Sequence, residues 1–224
     1  MAVAAVSVHG VLIAEMLLLV AMNDKGHVPV GGDAFIRVGL SGALLAELAI
    51  DGRLTIAEDG TVRAGDTRPA DELLADVYDA VRDHLEGRKA KQVIGGLNRH
   101  IGGSWNRVVD RLVSAGVLGR EKPSVFRPTQ HPVRDTAARQ LVLYQVQAAA
   151  AGYAPVSADV AVILALAGPC RLLERIAPDR STRSQAKKRI ARATAETPFA
   201  PGVAKIIDEL IAAVAVTATT VAAS

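Results

Sequence analysis

Few residues of this chain are spaced for covalent chemistry. Cys170 is the single cysteine. It stands at the start of a predicted helix, where a thiol can be activated. A lone cysteine leaves no internal disulfide and no multi-cysteine zinc site, and its commonest use is as a small buried hydrophobe. Ser41, in Gly39-Leu40-Ser41-Gly42, lacks the nucleophile-elbow spacing and falls inside a predicted helix, so it reads as a packing residue. Asp76, Asp79 and Asp83 share one helix face and could hold a metal. No histidine matches their spacing, and a solvated acidic face is expected. The five histidines are scattered, and His131, before Pro132, reads as structural. Glycine motifs for nucleotides and the paired-histidine zinc motif are absent. No catalytic residue, metal or cofactor is therefore expected, and the chain does not read as an enzyme.

The residues that remain are cationic. The net charge is only +3, but it is unevenly distributed. From Glu47 to Glu86 there are 11 acids against 4 bases, a balance of −7. From Arg88 to Arg139 there are 11 bases against 3 acids, +8, and from Arg171 to Arg192 there are 8 bases against 2 acids, +6. Brought onto one face, the two basic blocks would attract phosphate; the alternative is ordinary solvated helix faces.

The elements that must position these cations are mostly helical. With 224 residues, half of them hydrophobic and 3% aromatic, the chain can form one domain, 1–224, with a core of Ala, Val, Leu and Ile. Helices are expected over Val11–Met22, Asp33–Ile50, a stretch after Pro69 carrying the stripe Leu73, Leu74, Val77, Val81 and Leu85, Lys89–His100, and a helix capped by Ser104 and stopped at Gly116. Further helices are expected over Thr136–Ala151, Asp159–Ala167, Cys170–Ala177 and Gln185–Ala195, with a last one after Pro201-Gly202. Hairpins are expected about Asp59-Gly60 and over Val117–Arg127, with Lys122-Pro123-Ser124 at the second tip. The fold class is all-α with a small β-hairpin.

Two apolar segments could be taken for membrane spans. Met1–Met22 has no Lys or Arg before Lys25, against a signal peptide, and holds Glu15, an acid that costs roughly 2.5–3.5 kcal/mol in mid-bilayer. Leu210–Ala223 is shorter than the ~20 residues a spanning helix needs. Both read as buried helices.

Two functional readings compete. Ser104 to Arg127, a helix followed by a basic hairpin, looks like a winged helix-turn-helix in which Arg107, Arg111, Arg120, Lys122 and Arg127 would touch DNA phosphates. The other reading comes from an ordered set of short motifs. Leu12-Ile13-Ala14-Glu15-Met16-Leu17-Leu18-Leu19 precedes Asn23-Asp24-Lys25-Gly26. Then come Gly39-Leu40-Ser41-Gly42, Glu47-Leu48-Ala49 and Gly52-Arg53-Leu54. Arg111-Leu112-Val113 leads into Gly116-Val117-Leu118, His131-Pro132 follows, and Leu172-Leu173-Glu174-Arg175 precedes Ala186-Lys187-Lys188-Arg189. In this order and spacing the chain resembles the Golgi phosphoprotein 3 family over nearly its whole length.

That resemblance implies a helical core with surrounding helices and a hairpin that presses into the membrane, here with Val125 and Phe126 as its bulky apolar residues. It implies peripheral binding to anionic phospholipid, phosphatidylinositol 4-phosphate in the eukaryotic members. It also implies an adaptor role toward the cytoplasmic tails of membrane enzymes, with the protein on the inner, cytoplasmic face of a membrane. Nucleic acid is then not the expected partner. Aligned on Glu47-Leu48-Ala49, the family's lipid-contacting Trp falls at Gly32 and its first Arg at Ser41. Aligned on Gly116-Val117-Leu118, two further arginine positions fall near Gly102 and Trp105. The residues placed to take over headgroup binding are Arg37, one turn before Ser41, with Trp105, Arg107 and Arg111.

Overall fold

The computed structural model describes residues 10–28, 33–121, 130–196, 207–209 and 211–212. Helix α1, Ile13–Ala21, is buried on every side, as a helix without a polar face must be. It packs most extensively against α2, Asp33–Ile50. Two three-residue strands follow, β1 Leu54–Ile56 and β2 Val62–Ala64, paired antiparallel with Thr55 opposite Arg63. Then come α3 Glu72–Ala80, α4 Ala90–His100 and α5 Ser104–Ser114. After them run α6 Thr136–Ala151, α7 Ala158–Leu166, α8 Leu173–Ile176 and α9 Arg180–Glu196. The fold is mainly α with one small two-stranded sheet. One hydrophobic cluster runs through the described residues from Leu12 to Ile207. Among them no helix is long and apolar enough to cross a membrane.

Several local expectations shift. Asp71, not a position by Pro69, caps α3, accepting the N–H groups of Leu73 and Leu74 at 3.0 and 3.1 Å. The stripe from Leu73 to Leu85 is buried as expected, but beyond Ala80 it continues as a π-helical turn, Val81–Leu85. Gly103, at φ 93°, precedes α5, and Ser104 is its first residue, fully buried. Cys170 to Ala177 is not one helix. A turn over 167–171 intervenes, and only Leu173–Ile176 is helical.

The second hairpin is longer than the sequence suggested. Leu118 pairs with Val133 and Glu121 with Gln130, so the return arm lies at 130–133 rather than before Arg127. Val125, Phe126 and the expected tip lie outside the described residues, as do Met1–His9 and most of the expected terminal helix. The base of this hairpin docks against the turn after α1. A side chain on Gly26, at φ 75°, would collide with the His131 carbonyl, its Cβ falling 1.9 Å from the oxygen. Below that turn Arg139 is buried, and its guanidinium donates to the Met22 carbonyl at 3.0 and 2.7 Å and meets Asp24. It satisfies a carbonyl that the end of α1 leaves open.

Candidate functional site

Helices α2, α4 and α5 meet at a small buried polar knot. Ser41 and Ser104, both fully buried, share a hydrogen bond of 2.9 Å between their hydroxyls. Asn98 Oδ1, from α4, accepts the Ser104 N–H at 2.7 Å. Short side chains let the three helices approach here, and each buried hydroxyl finds a partner. Because Ser41 is sealed in, no arginine fits at that position without expelling this network.

A cation stands one turn earlier on the same helix. Arg37 is exposed on α2, and its guanidinium carbon lies 4.8 Å from the centroid of the half-buried Trp105 ring. Trp105 is the second residue of α5. The Ser104 N–H is already taken by Asn98, while the N–H groups of Trp105 and Asn106 open from the helix end, where four donors lack partners within the helix. Among the described residues no carboxylate pairs with Arg37. Its charge is held in place by a ring face and stays available, next to a helix N-terminus that favours anions.

The other two expected headgroup residues point to different partners. Arg107 pairs with Asp76 of α3 at 2.5 Å, both side chains partly exposed. Arg111, one turn further along α5, is held by two carboxylates. Its Nε donates to Glu15 at 3.0 Å and its Nη1 to Asp71 at 2.5 Å. Glu15 is buried, and its other oxygen accepts the Leu12 N–H at 2.8 Å. Burial pushes the Glu15 carboxyl above its ordinary pKa, against the opposing pull of the Leu12 N–H and Arg111. The intramembrane-looking acid of the sequence is thus a cap for α1 with Arg111 as its counter-charge. A groove of about 270 Å³ opens beside this pair, lined by Val11, Leu19, Leu112, Leu141 and Val142 among others.

Three ion pairs join the acidic block to the first basic block. Asp59, Asp71 and Asp76 from the acidic block pair with Lys89, Arg111 and Arg107 from the basic one. Arg120 pairs with Asp110. The expected acidic face over α3 and the π-helical turn after it is engaged likewise: Asp79 meets Arg68 and Arg82, and Asp83 meets Arg82. Three of the five cations required by the DNA-binding reading are therefore paired with carboxylates; Lys122 and Arg127 lie outside the described residues. Leu118 and Val133 at the base of the wing are buried in the core. No group of three or more potential metal ligands occurs among the described residues. Cys170 is buried, and burial pushes its thiol up to about 12, far from a reactive thiolate at neutral pH.

The family is decided by a whole-chain comparison. The model of the Golgi phosphoprotein 3 (GPP34) family matches residues 13–210. The chain belongs to that family. The match spans α1 to α9, and with them the residues of the polar knot, the Arg37–Trp105 pair and the Glu15–Arg111 pair. Arg37 lies one helical turn before Ser41 on the same helix. Sequence spacing could place Arg37 near Ser41; only the packing of α5 on α2 shows that Trp105 carries it.

Proposed function

We propose that this protein docks peripherally on anionic membrane lipid and serves there as an adaptor without catalysis. In this reading Arg37 and Trp105 form the centre of the headgroup site. Phosphatidylinositol 4-phosphate is the headgroup suggested by the family, and cytoplasmic tails of membrane enzymes are its suggested protein partners. The observation that carries the reading is the exposed Arg37 guanidinium, held on the Trp105 ring beside the α5 N-terminus and free of any carboxylate among the described residues. A planar, weakly hydrated cation next to open backbone N–H groups suits a phosphate oxygen. Arg107 can join by releasing the half-exposed Asp76, and Arg111 holds α5 in register with α1. Val125 and Phe126 would supply the apolar contact with the bilayer.

The test is vesicle co-sedimentation. Phosphatidylcholine vesicles should recruit little protein, and vesicles containing phosphatidylglycerol or phosphatidylinositol 4-phosphate should recruit it in a salt-sensitive way, because screening sets in beyond a Debye length of about 10 Å at 0.1 M. A charge-assisted contact contributes roughly 1.5–3 kcal/mol, so Arg37→Ala with Arg107→Ala should lower affinity at least about tenfold. Equal recruitment to neutral and anionic vesicles would refute the proposal. So would a folded double variant that binds as tightly as the wild-type protein.

A further inference from the structure

Arg171 is the one non-glycine residue with a positive φ among the described residues, at +56°. It follows Cys170, whose buried Sγ lies against α2. A Cβ placed on Gly39 would meet that sulfur at 2.9 Å, and the thiol points to the Phe35 carbonyl at 3.7 Å. Cys170 thus clamps the turn after α7 onto the first half of α2. The Arg171 N–H reaches the Gly168 carbonyl at 3.0 Å and the Leu172 N–H the Ala167 carbonyl at 2.8 Å. In such a helix-ending turn glycine takes the left-handed conformation without cost, and arginine does not. Arginine nevertheless stands there, exposed, with its guanidinium carbon 4.7 Å from the centroid of the Phe35 ring. Among the described residues no side-chain hydrogen bond or ion pair holds it.

Arg171 and Arg37 therefore share one arrangement: an exposed guanidinium carried by an aromatic face and not matched by a carboxylate. Arg171 rests on Phe35 of α2, whereas Arg37 leaves α2 from another side and rests on Trp105 of α5. Phe35 and Arg37 are two residues apart, so they differ by about 3 Å along the helix axis and about 200° around it. The two cations straddle the first turns of α2.

We propose that Arg171 is a second contact with the anionic bilayer, meeting a different lipid headgroup from the one at Arg37. The inference rests on the lipid-docking reading and extends it from one pocket to a two-point attachment across the start of α2. Backbone strain of this kind persists where a side chain has to be held in a particular place, and two cations on different sides of a helix cannot share one small anion, whereas a surface carrying many phosphates can meet both.

The decisive variant is Arg171→Gly, because glycine suits the backbone there. Its melting temperature should equal or exceed that of the wild-type protein, while affinity for vesicles of equimolar phosphatidylglycerol and phosphatidylcholine falls about fivefold, the factor expected of one basic residue at an anionic surface. In the double variant Arg37→Ala with Arg171→Gly the two losses should multiply. Excess inorganic phosphate at matched ionic strength should leave the protein on the vesicles. Wild-type binding by Arg171→Gly, with Arg37→Ala still weakened, overturns the second contact and leaves the first. A double variant no weaker than the worse single one means a single shared headgroup and also overturns it. Release by phosphate alone identifies a free-anion site in place of a bilayer contact. Failure of the wild-type protein to prefer anionic vesicles removes the underlying reading as well.

Discussion

The two ends of α5 hold arginines in opposite ways. At its C-terminal half Arg111 is fixed by Glu15 and Asp71, and the Glu15 carboxylate, on α1, is buried. At its N-terminus Trp105 carries Arg37 on its ring, in solvent. The residue type is the same and so is the formal charge. The first guanidinium is neutralised inside the fold and secures the α1–α5 packing. The second keeps its charge for something outside. An arginine count along the sequence does not distinguish these fates; the partner does.

The largest effect should come from breaking the buried end. Arg111→Ala leaves the Glu15 carboxylate in the interior with the Leu12 N–H as its remaining partner. Removing one member of a buried pair costs about 3–5 kcal/mol, and Arg111 is partly exposed, so about 3 kcal/mol is expected in urea denaturation at neutral pH. The deficit should shrink in acid, where Glu15 takes up a proton. A loss below about 1 kcal/mol would make Arg111 a surface arginine like Arg37 and erase the contrast.

The next test concerns a carboxyl at the same end that has no cation partner among the described residues. Glu47 accepts the Ile13 N–H at 2.6 Å, so two acids cap α1, and among the described residues only Glu15 has an arginine partner. Burial, reinforced by Asp159, Asp51 and Glu15 nearby, pushes the Glu47 pKa up to about 8, although the Ile13 N–H opposes this. Between its ordinary value of 4.5 and about 8 the folded protein keeps a proton that the unfolded chain releases. Stability from this group is full below that window and is lost as pH rises through it, with a slope of up to about 1.4 kcal/mol per pH unit. Glu47→Gln keeps an acceptor for Ile13 and carries no charge. Because Glu47 is partly exposed and solvent screens it, less than half of the full shift is expected, so near pH 9 the variant should be more stable than the wild-type protein by roughly 2 kcal/mol, and near pH 5 the two should converge. Parallel stability curves across that range would show that Glu47 titrates normally.

Much of this architecture could be read from the sequence. Continuous apolar runs marked α1 and α7 as buried helices, Asp59-Gly60 marked the first hairpin, and the ordered motifs marked the family. Reading the site was harder, for a physical reason. The acidic block and the first basic block looked like two surfaces of opposite sign, but folding brings Asp59, Asp71 and Asp76 against Lys89, Arg111 and Arg107, and part of the apparent field cancels. Long-range pairing of this kind has no local periodicity to betray it. Ser104 looked like a helix cap because a serine after two glycines usually is one. Here tertiary contact with Ser41 and Asn98 claimed it. Arg171 gave no signal at all, since a left-handed arginine cannot be told from an ordinary helical one by composition.

The polar knot gives an effect of intermediate size and bears on why the two ends differ. Ser41→Ala leaves the buried Ser104 hydroxyl without its partner and should cost about 1–2 kcal/mol. Replacing both serines by alanine removes the donor and the acceptor together, so the double variant should be less destabilised than the sum of the single ones. Strict additivity would mean that the 2.9 Å contact does not couple the two hydroxyls.

The smallest stability effect should be at Arg37, and it decides whether the comparison holds. Its side chain is exposed, and among the described residues its one recorded side-chain contact is the Trp105 ring. An exposed cation–π contact contributes about 0.5–1 kcal/mol. Arg37→Ala should therefore lower stability by no more than that, against about 3 kcal/mol for Arg111→Ala one helix turn beyond Arg107. Indole fluorescence supplies a second readout, because removing the guanidinium uncovers one face of Trp105, the only tryptophan in the chain. The emission of the variant should shift to the red while its urea midpoint barely moves. Adding anionic vesicles should move the wild-type emission more than that of the variant, since the ring lies beside the charge that contacts the headgroup. A large stability loss on removing Arg37 would place it among the structural arginines, and the difference between the two ends of α5 would then be one of exposure alone.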